Sequence, residues 1–392
     1  MKVLFAHDHK FKHADDKYYS SGGLPCTIWS RYTEVLGDIT VVGRDGGVLT
    51  HADKGFTLSS ADGVYFYLLP SIANLKSLLF GNKKVSESIH VLVSQHDALI
   101  ARLPSRLGVL FIKEAVKQGK PYAIEVVGCP WDALWNYGGI KGKLFAPYAA
   151  LELKKLVKNS RFALYVTEFF LQSRYPAYKE AVTTFCSNVE IPSVERSVLA
   201  NRLDKIASRS VEQSVVFGQI ANYSSRYKGI DVAIKALKEA DLPSWQFKVL
   251  GNGDAGYYKN IAKQLGVADK VHFVGSLPSG DPVFDWVDSI DIYLHPSFQE
   301  GLPRALAEAM SRGAPALASK IAGIPELLNE SVLISAGDYK ALAKKISNMA
   351  NDKIMQASHA EQNFHKAKGY SKDLLDERRK SFWQKFRECV EG

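Results

Sequence analysis

Residues 295–310 read HPSFQEGLPRALAEAM, and this stretch predicts how the second half of the chain is built. The apolar run before it, residues 290–294 (IDIYL), is typical of a buried strand. Pro303 suits the first position of a helix, so the pattern predicts a strand, a loop that ends near Glu300, and a helix that contains Glu308.

The start of this predicted helix is a candidate anion-binding site. The backbone N–H groups of Leu302, Arg304 and Ala305 lie in or beside the first turn. A helix leaves its first donors unpaired and carries a partial positive charge at that end. Pro303 has no N–H, but its fixed φ preorganises the turn.

Glu300 and Glu308 fit two interpretations. The simpler one is that Glu300 caps the helix and Glu308 is a solvated acid. However, their spacing resembles the E-x7-E element of retaining family 4 glycosyltransferases, in the EGLP variant that is followed by EAM. Residues 313–315 (GAP) and 323–326 (GIPE) also resemble that family's G-x-P and G-G-x-x-E stretches, with Ala322 where a first glycine is frequent.

The resemblance implies an α/β GT-B fold, in which two Rossmann-like, doubly wound domains face each other across a cleft. The nucleotide-sugar donor would bind mainly to the carboxyl-terminal domain. Glu300 would position hydroxyl groups of the donor sugar, and Glu308 would accept a hydrogen bond from the nucleotide ribose. The residues between them that would hold the donor are Gly301, Leu302, Pro303, Arg304 and Ala305.

Two basic residues, Arg226 and Lys228, also fit the resemblance to this family. Gly218 ends a strand-like run, and RYKG at residues 226–229 precedes a helix-like run. In the family, cations at these places grip the donor diphosphate, so the resemblance makes Arg226 and Lys228 catalytic and Gly218 donor-binding. Arg would act as a fork and Lys as a point charge. Gln219 stands where the family usually has Arg, so either Arg226 compensates or the grip is weaker.

Turns elsewhere give weaker signals. Leu277 follows a predicted strand, in a turn that holds the base through backbone groups in the resembled family, so the resemblance makes Leu277 a base contact. Gly22 and Gly23 match the family's glycine loop, where the missing Cβ lets the backbone approach the diphosphate. Gly128 stands near the place where many family members have a histidine beside the transferred sugar, so Gly128 and His96 are the acceptor-side candidates; alternatively, His96 is a capped or surface histidine.

Strand-like apolar runs alternate with helical segments along the whole chain, which indicates parallel sheets covered on both faces. The runs are residues 2–6, 39–42, 64–69, 98–101, 122–127 and 162–166, followed by 214–217, 247–250, 271–274, 290–294, 315–318 and 332–334. A polar, charged stretch at 193–213 separates two such series. The pattern predicts an amino-terminal Rossmann-like acceptor domain over residues 1–200 and a donor domain over residues 211–370. Residues 371–392 are expected to form an amphipathic helix that packs back on the first domain.

The composition excludes several classes of protein. The chain has 392 residues, 46% of them apolar and 23% charged, as in ordinary globular proteins. Its four cysteines form no C-x-x-C pair, which favours a reducing compartment. No run reaches the 18 or so apolar residues of a membrane helix, so a cytoplasmic location is expected. Basic and apolar residues mix at 74–84 and 139–158, which suits either peripheral contact with the inner face of the cytoplasmic membrane or ordinary solvated helices.

The formal charge of +9 favours anionic partners, but it is spread over the chain without a basic run or a nucleic-acid-binding module. No Asp-x-Asp triplet occurs, so no metal ligand and no cofactor is expected. We therefore expect a retaining glycosyltransferase that moves a sugar from a UDP- or GDP-sugar to a glycan or lipid-linked glycan acceptor in bacterial surface polysaccharide biosynthesis. The alternatives are a GT-B nucleotide-sugar epimerase and a non-catalytic nucleotide-sugar-binding protein.

Overall fold

The computed structural model describes residues 1–21, 23–50, 53, 55–70, 83–137, 139–189, 191–192, 195–210 and 212–392. They divide into two compact units. The first unit contains Met1–Trp131, Phe145–Cys186 and Asp376–Gly392, and the second contains Asp132–Leu144 and Ser187–Leu375. Gly22 and residues 74–82 of the basic-apolar stretch lie outside the described residues.

The first unit is built on a mainly parallel sheet in the order β5-β3-β1-β6-β7-β8-β9, with β2 and β4 added beside the far end of β1. Its strands are β1 Val3–Ala14, β2 Lys17–Ser20, β3 Ile39–Val48, β4 Thr57–Leu58, β5 Val64–Leu69, β6 Ala98–Leu103, β7 Tyr122–Val126, β8 Phe162–Tyr165 and β9 Val182–Phe185. The sequence pattern had not indicated the β1–β2 hairpin, whose turn places Asp15 and Asp16 at φ 47° and 59°. Two consecutive positive φ values match the twist of a two-residue hairpin turn.

The second unit has a wholly parallel sheet in the order β12-β11-β10-β13-β14-β15. Its strands are β10 Val215–Ile220, β11 Trp245–Leu250, β12 Val271–Gly275, β13 Ile292–His295, β14 Ala316–Ser319 and β15 Leu333–Ile334. Each coincides with a predicted apolar run to within a few residues, because strands buried on both faces of a parallel sheet must be apolar almost throughout. The predicted α/β, doubly wound class is confirmed for both units.

Helices connect these strands along the described part of the chain. They are α1 Ser30–Leu36, α2 Lys83–Ser94, α3 Arg106–Lys117, α4 Pro130–Tyr137, α5 Gly139–Lys158, α6 Phe170–Arg174, α7 Arg196–Ser208, α8 Ile230–Glu239, α9 Gly256–Gln264, α10 Asp281–Ser289, α11 Arg304–Ser311, α12 Tyr339–Asn351, α13 Lys353–Ala367 and α14 Lys372–Glu391. Short 3-10 turns precede α1 at Cys26–Ile28 and α8 at Arg226–Lys228.

The two units divide at different places from the predicted boundaries of 200, 211 and 371. Helix α7 belongs to the second unit because the buried guanidinium of Arg202 donates to the carbonyls of Ile290 (2.6 Å) and Val287 (2.9 Å). Residues 132–144 also group with the second unit, where the Asn136 side chain donates to the Phe298 carbonyl at 3.2 Å. Backbone and side-chain hydrogen bonds of this kind cannot be read from local composition.

The carboxyl-terminal helix α14 packs its aromatic residues into the core of the first unit. Phe382, Trp383 and Phe386 are at most 2% exposed. The Phe386 ring lies 5.1 Å from that of Phe162, and the Trp383 ring lies 5.5 Å from that of Tyr32. Burying three aromatic side chains stabilises this attachment by roughly 1.5–3 kcal/mol each.

Candidate functional site

The strand order of the second sheet reverses between β10 and β13, which lie side by side although two strands separate them in sequence. At such a point the loops after the two strands run in opposite directions and leave a crevice beyond their carboxyl ends. The loop after β10 contains the 3-10 turn Arg226–Lys228, and the loop after β13 contains Glu300. The topology therefore brings the predicted cation and carboxylate to one edge of the sheet.

Glu300 accepts two close contacts on the same oxygen. Its Oε1 lies 2.7 Å from Lys228 Nζ and 2.9 Å from His295 Nε2. The Glu300 side chain is only 8% exposed and the Lys228 side chain 19%. Burial alone would raise the pKa of Glu300, but the nearby His295 and then Lys228 outweigh this effect and lower the pKa to about 2. Glu300 is therefore a carboxylate at neutral pH and is held in one orientation.

His295 was not recognised from the sequence, although it is the last residue of β13. It is 1% exposed and its ring stacks on that of Tyr293 with centroids 6.0 Å apart. Its Nδ1 is buried and has no hydrogen-bond partner among the described residues. A position at the carboxyl end of a predicted strand, directly before the motif loop, was the available signal.

The two loops are joined by backbone contacts. Phe298 N–H donates to the Tyr227 carbonyl at 2.7 Å. Gly229 has φ +67°, and a Cβ there would lie 2.0 Å from the Pro296 carbonyl oxygen. Only glycine fits both this left-handed backbone and this close approach. The K-G pair of the sequence motif thus reflects the packing of one loop against the other.

Gln219, which replaces the arginine usual in the resembled family, is fully buried at the end of β10. Its Nε2 donates to the Lys228 carbonyl at 2.6 Å. Gln219 therefore holds the backbone of the turn that carries Lys228, a contact within the protein rather than one aimed at a ligand.

Helix α11 begins one residue later than predicted. Pro303 is the residue before the first helical position, with φ −74° and ψ 111°, and its carbonyl accepts the first helical bond from Ala307 N–H at 3.2 Å. The N–H groups of Arg304 and Ala305 therefore have no carbonyl inside the helix to bond. Leu302, directly before the proline, is 8% exposed.

A pocket of about 450 Å³ lies in front of this helix start. Its lining includes seven of the predicted or newly found site residues: Lys228, His295, Glu300, Leu302, Pro303, Arg304 and Ala305. Backbone from three neighbouring loops completes the wall at Ala221–Asn222, Gly251–Asn252 and Ser276. The pocket therefore combines the buried Glu300 carboxylate, the cationic side chains of Lys228 and Arg304, and a helix amino terminus.

Four other predicted donor residues of the second unit are not among those that line this pocket. Glu308 lies in α11, with its carboxylate 4.0 Å from Arg304 Nη2. Leu277 follows β12 and is 39% exposed. The Gly301 carbonyl accepts a hydrogen bond from Gly323 N–H at 2.9 Å. Gly218 lies inside β10, where a Cβ would be 2.3 Å from Ile290 Cδ1, so core packing by itself requires a glycine.

Arg226 likewise lies outside the pocket lining. Its guanidinium stacks over the Tyr257 ring at 4.1 Å, one turn away from Lys228. The basic pair of the motif is therefore split in this structure, with Lys228 at the carboxylate and Arg226 on an aromatic face.

The two acceptor-side candidates lie at opposite ends of the strands in the first unit. Gly128 follows the carboxyl end of β7, whereas His96 precedes β6 and hydrogen-bonds within the chain to the Leu92 carbonyl (2.7 Å) and Thr40 Oγ1 (2.9 Å). Burial lowers the pKa of His96. Its structure matches the alternative of a locally satisfied histidine. Gly23 lies beside His9, whose Cε1 would be 3.3 Å from an added Cβ.

Two histidines that were not predicted as site residues lie within β1, just beyond the stretch Val3–Ala6 that pairs with β6. His7 Nδ1 is 3.1 Å from the Arg102 carbonyl, and His9 Nε2 is 2.8 Å from Ser20 Oγ. Burial, followed by the Arg102 charge, lowers the pKa of each imidazole to about 4. Between them, the Asp8 carboxylate accepts from Arg44 at 2.7 Å.

The described residues show neither a metal-binding cluster nor a membrane-spanning helix. They contain no group of three or more His, Cys, Asp or Glu side chains arranged to hold a metal ion. Among the same residues, no helix combines the length and the apolar character needed to cross a bilayer.

Comparisons with known proteins relate the second unit to glycosyltransferases. Residues 202–366 match the family model "Glycosyl transferases group 1". Protein CapJ of Staphylococcus aureus is 28% identical over 375 residues, which cover 95% of this chain and 92% of CapJ. The amylovoran biosynthesis glycosyltransferase AmsK of Erwinia amylovora is 34% identical over 128 residues, 30% of this chain and 31% of AmsK.

Among solved structures, HepE of Anabaena in complex with UDP and glucose superimposes with a TM-score of 0.64 at 16% identity, and the match covers 100% of both chains. Likeness at this identity establishes the fold. Together with the two parallel-sheet units, it confirms the predicted GT-B fold.

Proposed function

We propose that this chain, whose residues 202–366 carry a glycosyl transferases group 1 domain, is a retaining hexosyltransferase that uses a nucleotide sugar, with a UDP-sugar favoured over a GDP-sugar. The acceptor would be a glycan or lipid-linked glycan in bacterial surface polysaccharide biosynthesis. The name of AmsK supports the polysaccharide pathway, and the UDP bound to HepE supports the donor class. The observation that carries the proposal is the convergence of Lys228, Glu300 and the start of α11 at one pocket.

In this proposal, the donor diphosphate binds at the start of α11. Transfer of the sugar leaves negative charge on the departing diphosphate. The N–H groups of Arg304 and Ala305 point from the helix start, and Lys228 Nζ supplies a positive charge at the same pocket. Preorganised donors of this kind stabilise developing charge without reorganising during the reaction. Arg226 would add to this charge after leaving its stack on Tyr257.

Glu300 would position hydroxyl groups of the donor sugar. Because Lys228 and His295 both contact Oε1, the second oxygen, Oε2, is the one we assign to the sugar. His295 is then a positioning residue that acts through Glu300. Glu308 would accept from the nucleotide ribose, which requires its contact with Arg304 at 4.0 Å to yield.

Retention of configuration follows, in this proposal, from attack on the same face from which the diphosphate leaves. A departing phosphate oxygen takes the proton of the acceptor hydroxyl, so no separate enzyme base is needed. A double displacement would need two carboxylates on either side of the anomeric carbon. Glu300 is the carboxylate that lines this pocket, while Glu308 lies outside its lining, and this favours the single-face route.

The proposal is tested with a panel of UDP-, GDP- and ADP-sugars, each measured for protection against thermal unfolding. A ligand bound at 100 times its Kd raises the free energy of unfolding by about 2.7 kcal/mol. We expect one UDP-sugar to protect, and Lys228→Ala to remove that protection. Interconversion of the sugar without any acceptor would identify an epimerase instead, and binding without transfer to any acceptor would identify a non-catalytic binding protein.

A further inference from the structure

The sheet of the first unit has its own reversal of strand order, between β1 and β6. These strands lie side by side, with β3 on the other flank of β1. A reversal of this kind leaves a crevice beyond the carboxyl end of the strands. Strand β1 pairs with β6 over Val3–Ala6, so His7 is the first residue at this crevice.

Strand β1 bulges where it passes the crevice. Ala6 pairs with Val42 and Lys10 pairs with Arg44, so β1 advances four residues while β3 advances two. The extra length places His7 in the irregular stretch. Bulges re-aim side chains and are frequent beside active sites. The backbone at this point is therefore shaped to present a side chain rather than to continue the ladder.

The hydrogen bond of His7 fixes which of its ring nitrogens carries the proton. His7 Nδ1 lies 3.1 Å from the Arg102 carbonyl, and a carbonyl can only accept, so Nδ1 donates. Burial, followed by the Arg102 charge, lowers the pKa of His7 to about 4, so the ring is neutral at neutral pH and has one N–H. Nε2 therefore presents a lone pair. It forms no hydrogen bond within the described part of the chain and is not fully buried.

Arg102 supplies the positive field that keeps the imidazole neutral. Its side chain is buried, and its Nη1 has no hydrogen-bond partner among the described residues. Its ion-pair partner Glu125 is 3.9 Å from Nε and also accepts from Tyr32 Oη at 2.8 Å. The neighbouring Asp8 carboxylate is engaged by Arg44 and by the first N–H groups of α3. No carboxylate among these is left to pair with the ring.

His9 offers the complementary group. Ser20 Oγ accepts from Leu24 N–H at 3.0 Å, so its own hydrogen points to His9 Nε2, 2.8 Å away. Because burial and then the Arg102 charge lower the pKa of His9 to about 4, this ring is also neutral, and its proton is on Nδ1. Nδ1 lies on the side of Gly23, where an added Cβ would be 3.5 Å from it.

These charges select the kind of group that binds here. The lone pair of His7 Nε2 repels the lone pairs of an anion, and the Arg102 guanidinium repels a cation. A neutral O–H group is left, because it can donate to the first ring while another hydroxyl accepts from the second. Sugar rings carry such hydroxyls on neighbouring carbons.

We propose that His7 and His9 bind hydroxyl groups of a pyranose, with His7 Nε2 accepting from one hydroxyl and His9 Nδ1 donating to another. The inference rests on the proposed function for the source of the sugar, which is either the nucleotide-sugar donor or the receiving glycan. His7 takes no proton from the hydroxyl, because an imidazole with a pKa of about 4 is too weak a base at neutral pH.

Two substitutions of His7 separate binding from a structural role. Asn places its amide nitrogen near the position of Nδ1, so His7→Asn keeps the hydrogen bond to the Arg102 carbonyl and removes the group offered to the sugar. Gln reaches the position of Nε2, so His7→Gln does the reverse. We expect His7→Asn to weaken sugar binding roughly tenfold and His7→Gln less than about threefold. A purely structural role predicts the opposite order.

The probes are UDP, the UDP-sugar that protects against unfolding, and methyl glycosides of glucose, galactose and N-acetylglucosamine. Calorimetry measures the nucleotides, and saturation-transfer NMR with the full chain measures the glycosides. If the sugar belongs to the donor, His7→Asn weakens the UDP-sugar but not UDP. If it belongs to the receiving glycan, His7→Asn weakens a methyl glycoside and leaves the UDP-sugar unchanged. The matched control is His13→Asn in the same strand, where the side chain is 42% exposed, and it should change neither.

The inference is overturned if His7→Asn binds every probe as the wild type does, if His7→Gln is the weaker binder, or if UDP alone is weakened equally. Thermal unfolding verifies that each variant is folded. The two proposals fail separately. A wild type that binds a methyl glycoside through His7 but no nucleotide sugar would defeat the proposed function alone, and one that binds the nucleotide sugar without any effect of His7→Asn would defeat this inference alone.

Discussion

The two sheets place histidines in opposite electrostatic surroundings. In the second unit, His295 Nε2 lies 2.9 Å from the Glu300 carboxylate. In the first unit, His7 and His9 lie near the Arg102 guanidinium, and both burial and that positive charge lower their pKa values to about 4. The same side chain thus contacts a carboxylate in one unit and lies beside a guanidinium charge in the other.

This difference shows that the type of residue at a sheet edge does not fix its chemistry. The nearest charged neighbour decides, and that neighbour comes from an adjacent strand or loop: Glu300 follows β13 itself, while Arg102 is in β6 beside β1. Removing the charged partner should have the largest effect on transfer or stability, followed by breaking the loop contact that positions it. Removing the titrating groups should have the smallest effect.

Removing the ionic pair of the second unit should have the largest effect. Glu300→Gln keeps the shape of the side chain but removes the charge, and Lys228→Ala removes the cation. We expect each to lower the rate of sugar transfer roughly 10²- to 10³-fold, because each removes a preorganised charge at the reacting centre. Steady-state kinetics with the nucleotide sugar identified by the panel provides the measurement.

Lys235→Ala is the matched control, since Lys235 is on α8 with a side chain 44% exposed and lies 3.6 Å from Asp231. It should change the rate less than twofold. Unchanged transfer in Glu300→Gln would remove Glu300 from the proposed mechanism.

Breaking the contact between the two loops should have the next largest effect. Gly229 and Gly266 have almost the same φ, +67° and +68°, but an added Cβ meets the Pro296 carbonyl at 2.0 Å in the first case and nothing within 4 Å in the second. Gly266→Ala should therefore cost only backbone strain, about 1 kcal/mol of unfolding free energy. Gly229→Ala should cost roughly 3 kcal/mol or more, because the backbone must also move.

Denaturant unfolding of the two variants tests this difference, and nucleotide-sugar binding tests its consequence for Lys228. We expect binding to weaken at least tenfold in Gly229→Ala only. Equal unfolding free energies for the two variants would mean that the loop contact contributes little.

The smallest effect should be a difference between the two units in how their stability changes as the pH falls. His7 and His9 have folded pKa values of about 4 against an ordinary 6.5, so the stability linked to their neutral forms is present above pH 6.5 and is lost as the pH falls toward 4. Glu300 has a pKa of about 2 against an ordinary 4.5, so its contribution is present above pH 4.5 and is lost as the pH falls toward 2.

The unfolding free energy, measured from pH 7 to pH 3, should therefore depend less on pH in the variants than in the wild type. We expect the smaller slope between pH 6.5 and 4 in a His7→Gln/His9→Gln variant, and below pH 4.5 in Glu300→Gln. Hydrogen exchange, followed separately for residues of each unit, should show the first unit weakening first on acidification. The reverse order would contradict the assigned directions of the pKa shifts.

Much of the fold could be predicted from local sequence. The six strands of the second sheet coincide with predicted apolar runs, because double-sided burial leaves a signal in every residue of a strand. Strands β2, β4 and β9 were missed, since their composition, such as VTTF in β9, is polar enough to pass for loop. Glu300 and Lys228 were found because the resemblance marks both.

What the sequence by itself determined is the alternation of strands and helices and the order of the motif residues along the chain. Only the tertiary structure decided that Glu300 meets both Lys228 and His295, that Gln219 supports the turn of Lys228, and that Arg226 stacks on Tyr257. The physical reason is that the Glu300–Lys228 contact depends on β10 lying beside β13, and the stacking of Arg226 on Tyr257 depends on β10 lying beside β11. Both neighbour relations are set by strand order. Local sequence encodes burial and turn preference, whereas the partner of a buried charge is chosen by how distant strands pair.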